Sequence, residues 1–103
     1  MHYIAVITTT DSQPIAALLA RTLVQKQLVA CAQISTVESV YQWQGELQQH
    51  TEFRLWCKTT SARYADVEAT IKSLHNYQLP AIYAIALTHV EPAFAAWLDE
   101  QTK

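Results

Sequence analysis

A single glycine, Gly45, stands in a chain of 103 residues, where average usage of about 7% would supply roughly seven. Phosphate-cradling loops and dinucleotide fingerprints need several glycines at fixed spacing, so both are excluded. Positive charge is also scarce. Seven Lys plus Arg against nine Asp plus Glu leave a formal charge of −2, with no surplus to neutralise a phosphate backbone, and nucleic acid is not an expected partner. No run reaches the roughly 18 apolar residues of a membrane helix. The N-terminus lacks the basic, apolar and small-residue order of a cleaved signal, so the cytosol is the expected compartment and no membrane contact is expected.

Cysteine is limited to Cys31 and Cys57, neither in a Cys-x-x-Cys pair. Both lie in apolar runs and read as reduced, core-packed thiols. The four histidines, His2, His50, His75 and His89, never recur at i, i+4, so a closed structural zinc site is not expected. No Ser or Cys sits in a nucleophile motif, and the chain reads as non-catalytic.

What the sequence does have is a folding composition: 50% hydrophobic and 16% charged residues make one domain over residues 1–103. Tyr3–Ile7 is a β-rich run apolar on both faces, left by the chain at Thr8 to Asp11. Asp11 or Ser12 can cap a helix with Pro14 in its first turn; Ile15, Leu18, Leu19, Thr22 and Leu23 form its stripe, to about Gln27. From Leu28 to Trp43 helical periodicity is missing, and Trp43-Gln44-Gly45-Glu46 reads as a hairpin tip. On the return arm Phe53, Leu55 and Cys57 alternate with Glu52, Arg54, Trp56 and Lys58, which marks a strand with one face in the core. Residues 28–60 therefore form one long hairpin.

Ser61 offers a cap for a second helix, with Tyr64, Val67, Ile71 and Leu74 inward, ending near His75-Asn76. After Pro80 a strand is expected over Ile82 to Val90, then a short helix from Glu91-Pro92 burying Phe94, Trp97 and Leu98. The order is an α+β, ferredoxin-like βαββαβ pattern with an extra C-terminal helix. Hairpin arms of about 13 to 15 residues would reach some 45 Å at about 3.3 Å per residue, against a radius of gyration of about 13 Å for a compact domain of this size. The ribbon and the uncovered sheet face, with Trp56, Tyr41 and Trp43, are expected to pack against other copies of the chain as a closed oligomer.

Candidate site residues are the polar and aromatic groups on converging elements: Tyr41, Trp43, Glu52, Lys58, His75 and Tyr77. Taken alone, Glu52 and Lys58 are ordinary outer-face charges, Tyr41 and Trp43 ordinary packing residues, and His75 a residue favoured at a helix C-terminus.

Four ordered motifs change that weighting: Leu28-Val29-Ala30-Cys31-Ala32, then Ser39-Val40-Tyr41-Gln42-Trp43-Gln44-Gly45-Glu46, Glu52 with Lys58-Thr59, and His75-Asn76-Tyr77-Gln78-Leu79-Pro80. Together they resemble the CutA divalent-cation tolerance family over nearly the whole chain. The resemblance implies a homotrimer of ferredoxin-like subunits and a link to divalent cations, copper first. It also implies a likeness to trimeric nitrogen-regulatory signalling proteins, which bind small effectors between subunits. Carried over by position, Tyr41, Trp43, Glu52, Lys58 and Tyr77 would surround an inter-subunit cleft and His75 would be the metal ligand. Thr8 and Asn76 stand where certain members have a cysteine and a second histidine, so metal binding is expected to be weak. A small anion or metabolite held through Lys58 is the alternative ligand, and a scaffold presenting a surface to another protein is a third role.

Overall fold

A computed structural model describes residues 2–103. Four strands and three helices follow in the order β1 (Tyr3–Thr10), α1 (Gln13–Gln25), β2 (Cys31–Trp43), β3 (Glu46–Thr60), α2 (Tyr64–Leu74), β4 (Ile82–Leu87) and α3 (Pro92–Gln101). The strands form one antiparallel sheet in the order β2-β3-β1-β4, the ferredoxin-like arrangement expected. No helix among the described residues is long and apolar enough to cross a membrane.

Each boundary has a local cause. β1 runs past Ile7 to Thr10 because the β-branched Thr8, Thr9 and Thr10 pair with Leu55, Arg54 and Phe53. The Ser12 side chain caps α1 by accepting from the Ile15 N–H at 3.3 Å. α1 stops at Gln25 rather than Gln27, because Gln27 takes φ 58° and the Leu28 and Val29 N–H groups both donate to the Leu23 carbonyl. That use of their N–H groups keeps Leu28 and Val29 out of the hairpin, which starts at Cys31. At its tip Gln44 (φ 52°) and Gly45 (φ 81°) are both left-handed, the two-residue turn whose twist suits paired strands. Ser61 is not the cap of α2: its N–H donates to the His2 carbonyl at 2.9 Å, the chain makes a 3-10 turn over Ser61–Arg63, and α2 has no side-chain cap. β4 ends at Leu87, not Val90, because its partner β1 begins at Tyr3 opposite Leu87.

The main core lies between one sheet face and the first two helices. Ile4, Val6, Leu55 and Cys57 from the strands meet Ala16, Leu19 and Leu23 of α1 and Val67 and Ile71 of α2. Strand alternation puts Tyr3, Ala5, Ile7 and Thr9 on the other face, beside Thr60, Lys58, Trp56 and Arg54 of β3. There Tyr3 donates to Asp99 Oδ2 at 2.9 Å, so α3 lies on this second face, and Ala5, Ile7 and Leu98 are buried apart from the main cluster. Two expectations change. Only Leu98 of α3 is buried: Phe94 and Trp97 stack on each other at 5.6 Å and are 38% and 41% exposed, because α3 turns one face to the sheet. Cys31 is half-buried, since its register opposite Lys58 puts it on the second face, whereas Cys57 is fully inside.

β2 and β3 are 13 and 15 residues long, and the molecule extends 45 × 25 × 21 Å with a radius of gyration of 14.2 Å. Beyond the Thr10–Phe53 pair, β3 has no partner but β2. The seven pairs from Val37–Glu52 to Trp43–Glu46 form a two-stranded ribbon that carries Val40 (60% exposed) and Leu47 (64%) on one face. Such ribbons are marginal in water without a third element.

Candidate functional site

The second sheet face continues past the end of β1 onto the ribbon. Register places Tyr41 and Trp43 of β2 and His50 and Glu52 of β3 on that face, and the connection 75–81 between α2 and β4 closes over it. Between them is a cavity of about 450 Å3, lined by Thr9, Tyr41, Trp43 and Glu52 on the sheet side and by Asn76, Tyr77, Gln78, Leu79 and Ala81 of the connection. Along the backbone of β2, Tyr41 and Trp43 lie four and six residues from the Val37 opposite Glu52, roughly 13 and 20 Å at about 3.3 Å per residue.

Glu52 is the unusual member. It is 5% exposed in a ribbon whose other members are exposed or half-buried. The Tyr77 hydroxyl donates to its Oε2 at 2.5 Å. Among the described residues no Lys, Arg or His nitrogen makes an ion pair with it. A buried carboxylate without a counter-charge is costly. Its field is felt by its neighbours: burial, the hydrogen bond to Glu52 and the negative charges of Glu52 and Asp11 push the Tyr77 phenol far above its ordinary value. Burial, then Glu52 and Asp11, also raise Tyr41, whose hydroxyl is 2.8 Å from His50 Nε2. The cavity is an aromatic trough with negative potential at its inner end.

His75 supports this site from behind. As the C-terminal cap of α2 it donates its N–H to the Ile71 carbonyl. Its ring Nδ1 accepts the Tyr77 N–H at 3.0 Å, which leaves Nε2 as the protonated nitrogen, donating to the Thr9 carbonyl at 2.8 Å. The ring thus ties the end of β1 to the connection and packs 4.9 Å from the Tyr77 ring. Both nitrogens are engaged. A copper ion needs a free imidazole lone pair, so His75 can ligate only by giving up the Tyr77 hydrogen bond. No group of three or more His, Cys, Asp and Glu side chains among the described residues is placed to hold a metal, and the residues of one chain do not fit a preformed copper site.

Of the six residues expected from sequence, the fold gathers Tyr41, Trp43, Glu52 and Tyr77 at the cavity and His75 directly behind it. Lys58 is not among them: it lies six residues along β3 from Glu52 and donates to Gln33 Oε1 at 3.0 Å. Sequence reasoning missed Thr9, Gln78, Leu79 and Ala81 as lining, His50 as the partner of Tyr41, and the part played by Asn76. Asn76 donates to Asp11 Oδ1 at 2.8 Å and accepts from Thr10 Oγ1 at 2.5 Å, anchoring the connection. Only the alternation that put Glu52 and His50 on one face hinted at His50.

The model of the CutA1 divalent ion tolerance protein family matches residues 4–101. The divalent-cation tolerance protein CutA of Archaeoglobus fulgidus is 34% identical over 100 residues, covering 97% of each chain, and that of Thermus thermophilus is 34% identical over 98 residues, covering 94% of this chain and 95% of its own. Among solved structures, the periplasmic divalent cation tolerance protein CutA of Archaeoglobus fulgidus superposes with a TM-score of 0.95 at 32% identity, covering 98% of this chain and 99% of its own. CutA1 of Oryza sativa does so with a TM-score of 0.95 at 27% identity, covering 100% of this chain and 95% of its own. Sequence, fold and the ordered motifs agree, and the chain belongs to the CutA1 divalent ion tolerance protein family.

Proposed function

We propose that the protein is a non-catalytic, cytosolic homotrimer whose working part is the cleft around Glu52, and that it binds divalent metal, copper first, weakly. The observation that carries this reading is a buried carboxylate without a counter-charge at the wall of an open cavity, in a family named for divalent ion tolerance. The trimer is supported by the ribbon, which has only itself to pair with, and by the exposed Tyr83 and Ile85 on the second sheet face. The cytosolic placement is supported by two free thiols on opposite faces of the sheet. Weak binding follows from oxygen donors in the cavity and an imidazole already engaged at both nitrogens.

Calorimetry of the tag-free protein with Cu(II) in a non-coordinating buffer tests it. Saturable heat that falls with Glu52→Gln and with His75→Ala is expected. No saturable heat, or heat unchanged in both variants, contradicts it.

A second reading, an effector-binding signalling module, is favoured by the cavity volume of about 450 Å3, far more than one metal ion fills. An anion held through Lys58 would require the Lys58 of another copy, because this chain's own is remote from the cavity.

A further inference from the structure

We infer that the Glu52 cavity takes an organic cation, an amphiphilic amine whose ammonium group meets Glu52 and whose apolar body lies along Tyr41, Tyr77 and Trp43. This inference rests on the cavity being the working part of the protein, and it assigns the cavity a ligand class.

Charge comes first. The Glu52 carboxylate is almost fully buried, receives its hydrogen bond from a neutral phenol on Oε2, and has no protein cation in ion-pair reach among the described residues. Asp11, held beside the connection by Asn76, adds negative potential felt at both Tyr41 and Tyr77. An anion entering this space meets repulsion, and a neutral ligand leaves the carboxylate uncompensated. A cation answers both terms.

Shape and wall chemistry then select the kind of cation. A bare metal ion would use few of the cavity's donors and none of its length. Tyr77, bonded to the carboxylate, and Tyr41, Trp43 and Leu79 of the same lining offer aromatic rings and apolar surface around the charge, the composition that favours alkylammonium groups over hydrated inorganic ions. The spacing along β2 sets a length of more than a single methyl group for a ligand that touches both Glu52 and Trp43, because Trp43 lies six residues along β2 from the Val37 paired with Glu52 and both line the cavity.

The probes are n-hexylammonium, its neutral analogue 1-hexanol and its anionic analogue hexanoate, titrated calorimetrically into the full-length protein. Expected is saturable binding of n-hexylammonium with at least about tenfold preference over 1-hexanol and no binding of hexanoate. Glu52→Gln is expected to abolish the preference, and Trp43→Ala to weaken n-hexylammonium more than methylammonium; circular dichroism of both variants confirms the fold. Equal binding of 1-hexanol, binding of hexanoate, no binding of the amine, or amine binding untouched by Glu52→Gln each overturns the inference. Gain of amine binding in Lys58→Ala over a silent wild type also overturns it, since the lysine of another copy would then be the cation at Glu52. Cu(II) titration of the same samples keeps the two readings apart: copper heat without amine binding leaves the proposed function standing and removes this inference alone.

Discussion

Replacing Tyr77 by phenylalanine deletes one hydroxyl and leaves the ring, so it isolates the hydrogen bond on which the Glu52 carboxylate relies. That bond is 2.5 Å long, its acceptor is charged, and Glu52 is 5% exposed, so water replaces the lost donor poorly. Charge-assisted hydrogen bonds of this kind contribute about 1.5–3 kcal/mol, and Tyr77→Phe should destabilise the protein by about 2 kcal/mol at pH 7. The difference should also depend on pH. Burial and the neighbouring carboxylates raise the folded-state value of the Tyr77 phenol above its ordinary value near 10, so the folded state retains that proton where the unfolded chain has lost it. The contribution is therefore fully present below pH 10 and declines as pH rises past 10. Urea unfolding of both proteins at matched concentration, at pH 7, 9 and 11, reads the effect. A difference under about 0.5 kcal/mol at pH 7, or one that grows between pH 9 and 11, refutes the reasoning.

The core, the thiols and the ribbon give three further tests. Leu23→Ala, which opens a cavity between α1 and the sheet where Leu23 is wholly buried, should destabilise by about 2–5 kcal/mol in urea unfolding; a loss below about 1 contradicts the placement. The Cys57 thiol is pushed up to about 12, by burial first and then by Cys31, so a thiol reagent at pH 8 should reach Cys57 only after denaturation. Rapid titration of two thiols in the native protein contradicts that. Ser12→Ala removes the cap on α1 and should cost about 1 kcal/mol, while Ser61→Ala, whose hydroxyl caps nothing, should be within about 0.5 kcal/mol of wild type.

Much of this architecture was legible because its determinants are local. The stripe through Leu19 and Leu23, the alternation of Phe53, Leu55 and Cys57, and the lone glycine at a turn each state a period or a backbone requirement that neighbouring residues do not alter. The hairpin length was readable for the same reason, and the 45 Å axis is the consequence. Errors fell where a distant partner decides the outcome. Thr8–Thr10 are strand because β3 lies beside them, Ser61 does not cap because a 3-10 turn over Ser61–Arg63 separates it from the start of α2, and Phe94 and Trp97 remain exposed because α3 turns only the face with Leu98 to the sheet. The site divides in the same way. Tyr41, Trp43, Glu52 and Tyr77 were named from the sequence, and the distance of Lys58 from Glu52 was already implicit in their six-residue separation along one strand, but the engagement of both His75 nitrogens depends on the path of the connection, which no spacing in the chain encodes.

The ribbon is the part of the fold least able to stand alone. Its exposed Val40 and Leu47 and its seven pairs without a third strand are the surface that the proposed assembly would cover. Paired Val40→Asp and Leu47→Asp substitutions should release protomers that retain their circular dichroism, and an unchanged assembly would mean that this face is not the contact. Most direct is the mass of the wild-type particle by light scattering at micromolar concentration. Three times the 11.6 kDa chain is expected, and a folded particle of 11.6 kDa contradicts the proposed assembly.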